Sequence, residues 1–166
     1  ERQIRERIMA LSRSHDLLVD GEWRGATLHD LVVTQVQPFS DENRIRAAGE
    51  LIVLSTAAVQ YLGIAFHELA TNSARHGALS SNSGRVDIAW TILEGPDPHL
   101  RLTWTETGGP VVGEISRSGF GRVVLERVAP SAVNGVGHLS YAPSGIVWTL
   151  DAPLKSIEAA ERKTEL

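Results

Sequence analysis

The chain of 166 residues contains no cysteine. That absence excludes disulfides and thiolate metal sites, and it fits a reducing compartment, the cytoplasm being the expectation. Long apolar runs are also missing. No stretch approaches the roughly 18 residues that a membrane-spanning helix requires, and the opening Glu1-Arg2-Gln3-Ile4-Arg5-Glu6-Arg7 is not a signal peptide. There is no basic excess: the formal net charge of −4 supplies no cationic field and argues against nucleic acid as a partner. An initiating methionine is missing too, and the chain opens inside a helical pattern, so it reads as a piece of something longer. Internal repeats and low-complexity linkers are absent. What remains is an ordinary globular balance, 42% hydrophobic and 22% charged, enough for one core and too short to make two domains the expectation.

Periodicity predicts a first helix from about residue 2 to 18. Ile4, Ile8, Leu11, His15 and Leu18 alternate spacings of four and three, a heptad seam suited to packing on another helix. A second helix is expected from Thr27 to Val36, ended by Pro38. Residues 45–48 and 51–54 read as a short hairpin around Gly49-Glu50. A long helix follows from about Ala57 to His76, with Ser55 or Thr56 as N-cap and Gly77 as a left-handed C-cap. Strands are expected over 85–93 and 100–106, joined by the turn residues 94–98, and over 138–142 and 145–151. A short helix over 123–128 is entered through Gly119-Phe120-Gly121. The charged stretch 155–166 reads as a frayed tail or loose helix. The sum is an α/β (α+β) two-layer sandwich: a mixed, mostly antiparallel sheet with helices on one face, preceded by an N-terminal helix. Residues 1–20 form the preceding helix, 21–154 the domain proper and 155–166 the tail.

Three places could carry chemistry. On the long helix, Leu62, Phe66, Leu69 and Ser73 mark a buried face, and Glu68, Asn72 and His76 line up one turn apart beside it. An amide oxygen is a neutral, hard ligand that suits Mg2+ shared with phosphates; solvated helix-surface residues are the plainer reading of Glu68 and Asn72 alone. His67-Glu68 begins like a zinc-protease motif, but position 71 is Thr, so the second histidine ligand is missing. The second place is Trp104-Thr105-Glu106-Thr107-Gly108-Gly109. A carboxylate at a strand end can accept from an adenine amino group, whereas guanine presents an oxygen there. A glycine beside it lets a base approach the backbone, although a solvated Glu leading into a turn has the same pattern. The third is Ser118-Gly119-Phe120-Gly121-Arg122, a glycine pair opening a helix whose free amides and dipole favour phosphate, with Arg122 or Arg117 able to add charge. A lone pair of this kind is more often a simple turn.

The order of these three segments resembles the N, G1 and G2 boxes of the Bergerat-fold ATPases. Within them the chain is similar to the HWE histidine kinases, named for a His in the N box and a Trp-x-Glu in the G1 box, here His67 and Trp104-x-Glu106. Glu68-Leu-Ala-Thr-Asn72, His76-Gly-Ala-Leu-Ser80, Gly119-Phe-Gly121 and the Arg-x-x-Ala-Leu-x-x-x-His-Asp-Leu-Leu pattern of residues 7–18 also resemble that family, over nearly everything from Arg7 to Pro153. The resemblance implies an ATP-binding catalytic domain that transfers the γ-phosphoryl group to a histidine, for relay to an aspartate of a response-regulator receiver domain. It implies ATP and Mg2+ as cofactors, with Asn72 holding the metal and Glu106 reading the adenine amino group. Gly108, Gly119 and Gly121 would shape the pocket and a short lid over 110–118. Glu68 would lie near the γ-phosphate, orienting a water or acting as base. Arg75 and His76 stand where the family has a basic residue and an aromatic, His76 for Tyr being a departure. His67 is a family hallmark for which helix packing and catalysis both stay open.

His15-Asp16 looks like a phosphoacceptor box, but His15 lies in the heptad seam near a helix end, and in the family the acceptor sits in an earlier helix with a His-Arg-x-x-Asn type motif that this sequence lacks. The first helix then corresponds to the second helix of a dimerisation element, which leaves a homodimer through it open in the full-length protein. The chain by itself is expected to bind Mg·ATP without phosphorylating itself. Two alternatives are a Bergerat-fold serine kinase acting on an antagonist protein, and a non-catalytic phosphotransfer or docking module on a degenerate kinase fold.

Overall fold

Inward-facing alternation sets the sheet. In the computed structural model, which describes residues 4–11, 26–110 and 120–160, β2 (Arg85–Leu93) turns Val86, Ile88 and Trp90 to the core and β3 (His99–Thr107) turns Leu100, Leu102, Trp104 and Glu106 to the same side. The order of the five strands is β1-β2-β3-β5-β4, with β1 (Ile45–Gly49) parallel to β2 and β4 (Val136–Ala142) and β5 (Gly145–Pro153) closing the other edge, antiparallel like β2–β3 and β3–β5. Helix α2 (Leu28–Val36), helix α3 (Thr56–His76) and the helical run from Phe120 to Ala132 join the core-facing side of the strands in one cluster that includes Leu31, Val59, Phe66, Leu125, Trp104 and Trp148. This is the expected two-layer sandwich.

The helix starts are capped as their sequences dictate. Thr27 accepts from the Asp30 amide at the start of α2, and Ser55 accepts from the Ala58 amide at the start of α3. Residues 4–11 are helical and form α1. Of the seam, Ile4, Ile8 and Leu11 are exposed, at 62%, 57% and 43%; His15 and Leu18 lie outside the described residues. The run after Gly119 is longer than expected: α4 (Phe120–Val123) passes through a π-helical turn (Val124–Val128) into α5 (Ala129–Ala132). The Ala129 amide bonds to the Val124 carbonyl, five residues back, and the Leu125 carbonyl instead accepts from the Trp148 indole at 2.9 Å. Pro130, with no N–H to give, removes a further α-helical bond there.

Three expectations are corrected. Residues 45–48 and 51–54 do not pair as a hairpin. Trp90 Nε1 holds the Glu50 carbonyl at 2.8 Å and Glu50 Oε2 takes the Ile92 amide at 2.7 Å, so the segment is pinned along β2 rather than turned back. Ile52 and Leu54 are then buried, and Val53 and Leu54 bridge to Thr27 and Glu158. Gly77 is not left-handed: its φ of −107° and ψ of −151° are extended. The stretch after Lys155 is not frayed as far as Ala159. It begins in α6 (Leu154–Ile157), Ile157 is fully buried, and the Ala159 amide bonds to the Val53 carbonyl at 2.8 Å.

Candidate functional site

Glu106 is the most buried charged side chain of the candidate set, at 2% exposure. Its burial follows from register, since it continues the inward row of Leu100, Leu102 and Trp104 on β3. A carboxylate there must be satisfied by fixed donors. Oε1 accepts from the Ser73 hydroxyl and the Ala78 amide, both at 2.9 Å, and Oε2 accepts from the Trp104 indole at 2.9 Å. Three of the four acceptor positions of the carboxylate are used, and the fourth lies on Oε2. Gly77 is required by this arrangement and not by its dihedral angles: a Cβ there would run into Glu106 Oε1 and lie 2.9 Å from the Ser73 Cα. Gly108 is left-handed, φ +73°, and a Cβ would stand 2.8 Å from the Ser83 carbonyl.

The other cluster sits one turn back on α3. Glu68 is 8% exposed and Asn72 is half-buried beside it. Gly121 of α4 passes directly over both. A Cβ built on it would lie 3.1 Å from Glu68 Oε2 and 3.4 Å from Asn72 Nδ2. The opposite oxygen of Glu68, Oε1, accepts from Arg7 Nε of α1 at 2.8 Å. The structure therefore brings Glu68, Asn72 and Gly121 together. Ser73, the neighbour of Asn72, carries the same helix into the Glu106 cluster.

Of the remaining candidates, Arg75 and Arg122 are engaged by partners of their own. Arg75 is exposed at the end of α3 and donates through Nη2 to both carboxylate oxygens of Glu6, at 2.9 and 3.1 Å; His76 is exposed beside it. Arg122 donates to Glu126 one turn on, at 3.2 Å, along its own helix. Gly119, Arg117 and the lid lie outside the described residues. His67 is buried at 3% with its ring edge-on to Phe39, centroids 6.0 Å apart, and near Thr71 at 3.4 Å, the setting of a packing residue. Among the described residues, no group of three His, Asp or Glu side chains is placed to hold a metal ion.

Sequence reasoning missed the roles of Trp104, Ser73, Arg44 and Arg7. Trp104 and Glu106 are two apart on a strand, so the period-two rule alone places indole and carboxylate on one face. Arg44 donates to the Gly84, Ala78 and Ser81 carbonyls and fixes the 77–84 turn that delivers the Ala78 amide; nothing in its local sequence marks it.

Residues 1–51 match the HWE histidine kinase family. The chain is 35% identical over 152 residues to proteins named blue-light-activated histidine kinase from Brucella ovis and Brucella anthropi, a span covering 90% of this chain and 31% of theirs. The chain is thus similar to the HWE histidine kinases over residues 1–51 and to named histidine kinases over most of its length. Its fold is that of histidine kinase ATP-binding domains. The histidine kinase domain of the Erythrobacter litoralis EL346 blue-light activated histidine kinase superposes with a TM-score of 0.70 at 16% identity, covering 90% of this chain and 74% of that one. The mycobacterial sensor histidine kinase MprB gives 0.56 at 14% identity, covering 81% and 99%. The chain spans 31% of the length of the Brucella relatives it matches.

Proposed function

We propose that this chain is the ATP-binding catalytic domain of an HWE histidine kinase, at residues 21–154, preceded over 1–20 by part of a dimerisation helix and followed by the stretch 155–166, which packs back on the domain as far as Ala159. The observation that carries the reading is the approach of Gly121 to Glu68 and Asn72. A glycine at the mouth of a helix, held against a carboxylate and an amide, leaves a cradle that a Cβ would fill, and the amides of that helix end favour phosphate. The donor set fits Mg2+: the one hard amide oxygen of Asn72, with Glu68 beside it and the other ligands from phosphate and water. When bound, Mg2+ neutralises charge on the triphosphate and on the transferring group.

The chain's own residues do the rest. Glu106 uses its remaining acceptor position for the adenine amino group, held at fixed orientation by Trp104, Ser73 and Ala78, which selects against guanine. Asn72 and the helix end before Arg122 position the phosphates; Arg75 and Arg122 add positive charge near them. Glu68 Oε2, facing Gly121, is the group placed to orient the attacking nucleophile or take its proton. The acceptor is a histidine outside these residues, and an aspartate on a response-regulator receiver domain receives the phosphoryl group next. No described helix is long and apolar enough to cross a membrane, and the reading places the domain in the cytoplasm.

The test is a calorimetric titration with a non-hydrolysable ATP analogue, with and without Mg2+, on wild type and Asn72→Ala. The expected result is Mg2+-dependent binding by wild type, weakened at least about tenfold by the substitution, the loss of one metal ligand. Binding that ignores both Mg2+ and Asn72 would refute the assignment of Asn72.

A further inference from the structure

Helix α1 meets α3 through charged side chains. Four of its apolar residues, Ile4, Ile8, Met9 and Leu11, are exposed while Ala10 is buried, and Glu6 and Arg7 face α3. Glu6 takes Arg75 and Arg7 takes Glu68, at 2.9 and 2.8 Å. One further bond, Gln35 Nε2 to the Ala10 carbonyl at 3.2 Å, fixes the far end to α2. Glu68 and Arg75 are seven residues apart, two turns along one face of α3, and they carry opposite charges. The adjacent pair Glu6-Arg7 offers the complementary order. Both side chains of α3 are thus paired with one dipeptide of α1. The outer pair, Arg75 with Glu6, is partly exposed and of a kind that contributes little by itself.

We propose that α1 is a releasable strap on the nucleotide face of α3: while Glu6 and Arg7 hold Arg75 and Glu68, neither is available to Mg·ATP, and nucleotide engagement and α1 docking work against each other. The proposal rests on the reading of Glu68 and Arg75 as nucleotide-site residues. Linkage then fixes the sign. A ligand that binds the undocked state has its apparent affinity reduced by the docked fraction, and weakening the dock restores it. It also makes nucleotide affinity respond to whatever moves α1, whose outward apolar seam is left for another helix.

The test uses the whole chain: wild type, Glu6→Ala, Arg7→Ala, the double variant and the charge-keeping Arg7→Lys. Each is titrated with a non-hydrolysable ATP analogue plus Mg2+, and amide exchange over residues 4–11 is followed with and without the analogue. Glu6 and Arg7 lie outside the proposed binding machinery, and circular dichroism checks that each variant folds. The strap predicts about three- to tenfold tighter binding by the double variant, near wild-type affinity for Arg7→Lys, and faster exchange over residues 4–11 when the analogue is bound. Binding by the double variant where wild type shows none would support it still more strongly. Unchanged affinity with unchanged exchange overturns the strap and leaves the ATP reading standing. Weaker binding by the Arg7 variant also overturns it, because Arg7 would then be holding Glu68 for the nucleotide. No binding by wild type or double variant removes the ATP reading, and the strap with it.

Discussion

Replacing Ser73 with Ala removes a single oxygen at a fully buried position, and the structure says what that oxygen does. It donates to Glu106 Oε1 at 2.9 Å and accepts from the Leu79 amide at 3.2 Å. A bond to a charged acceptor contributes about 1.5–3 kcal/mol, and a buried amide left without its acceptor costs about 1–3 kcal/mol. The carboxylate keeps Ala78 and Trp104, so relaxation returns part of this, and the expected net loss is about 3 kcal/mol. For a chain of this size that corresponds to a fall in Tm of about 6–12 °C, or a urea midpoint lower by about 1–2 M at unchanged m. Glu106→Gln provides the control. A glutamine that keeps its oxygen toward Ser73 and Ala78 turns its NH2 group against the Trp104 N–H, so it is itself destabilised. Ser73→Ala should cost about 1–2 kcal/mol less in that background than in wild type, the coupling of neighbours in one network. A fall in Tm below about 2 °C, or the same cost in both backgrounds, would refute the argument that fixed donors hold this carboxylate in the core.

The other changes separate fold from site. Gly121→Ala should leave Tm unchanged or raise it, since Ala is favoured over Gly in a helix by up to about 1 kcal/mol. Its methyl group, 3.1 Å from Glu68 Oε2 and 3.4 Å from Asn72 Nδ2, should lower ATP-analogue affinity by about tenfold or more, the worth of roughly 1.4 kcal/mol of crowding; unaffected binding would place the phosphates elsewhere. Ile157→Ala, at a fully buried site beyond the last strand, should cost about 2–5 kcal/mol and lower Tm by about 4–20 °C without changing nucleotide affinity in the folded protein. A loss under 1 °C would mean that α6 is not part of the core.

What could be read from the sequence followed from local periodicity. The inward row of β3, the buried face of α3 and the Ser55 cap all come from spacings of two, three and four residues. The parallel pairing of β1 was not legible because its partner lies about forty residues on and the deciding contacts, Trp90 to the Glu50 carbonyl and Glu50 to the Ile92 amide, are invisible until both strands are placed. Gly77 shows the same limit at one residue. A glycine after a helix predicts a left-handed cap from local rules, yet the dihedrals are extended, and the residue is glycine because a carboxylate from β3 occupies the place of its Cβ. The reading of Glu68 as one of a row of helix-face side chains was correct in direction and silent about Arg7, which arrives from sixty-one residues earlier.

The candidate site is held together by one helical turn. Successive residues of a helix point about 100° apart, so Asn72 can face Gly121 while Ser73, the next residue, reaches down to Glu106. Neither direction can change without the other, because both side chains hang on the same stretch of α3, itself packed on all but its polar face. If Glu106 takes the base and Asn72 the metal-bearing phosphates, the span between the two ends of the nucleotide is set by rigid α3 backbone, with no loop between them. That division assigns the adjustable work to the parts that approach α3 from outside: α4 through Gly121 on one side and α1 through Glu6 and Arg7 on the other. A protein built this way regulates its nucleotide site by moving what leans on α3, leaving the helix itself in place.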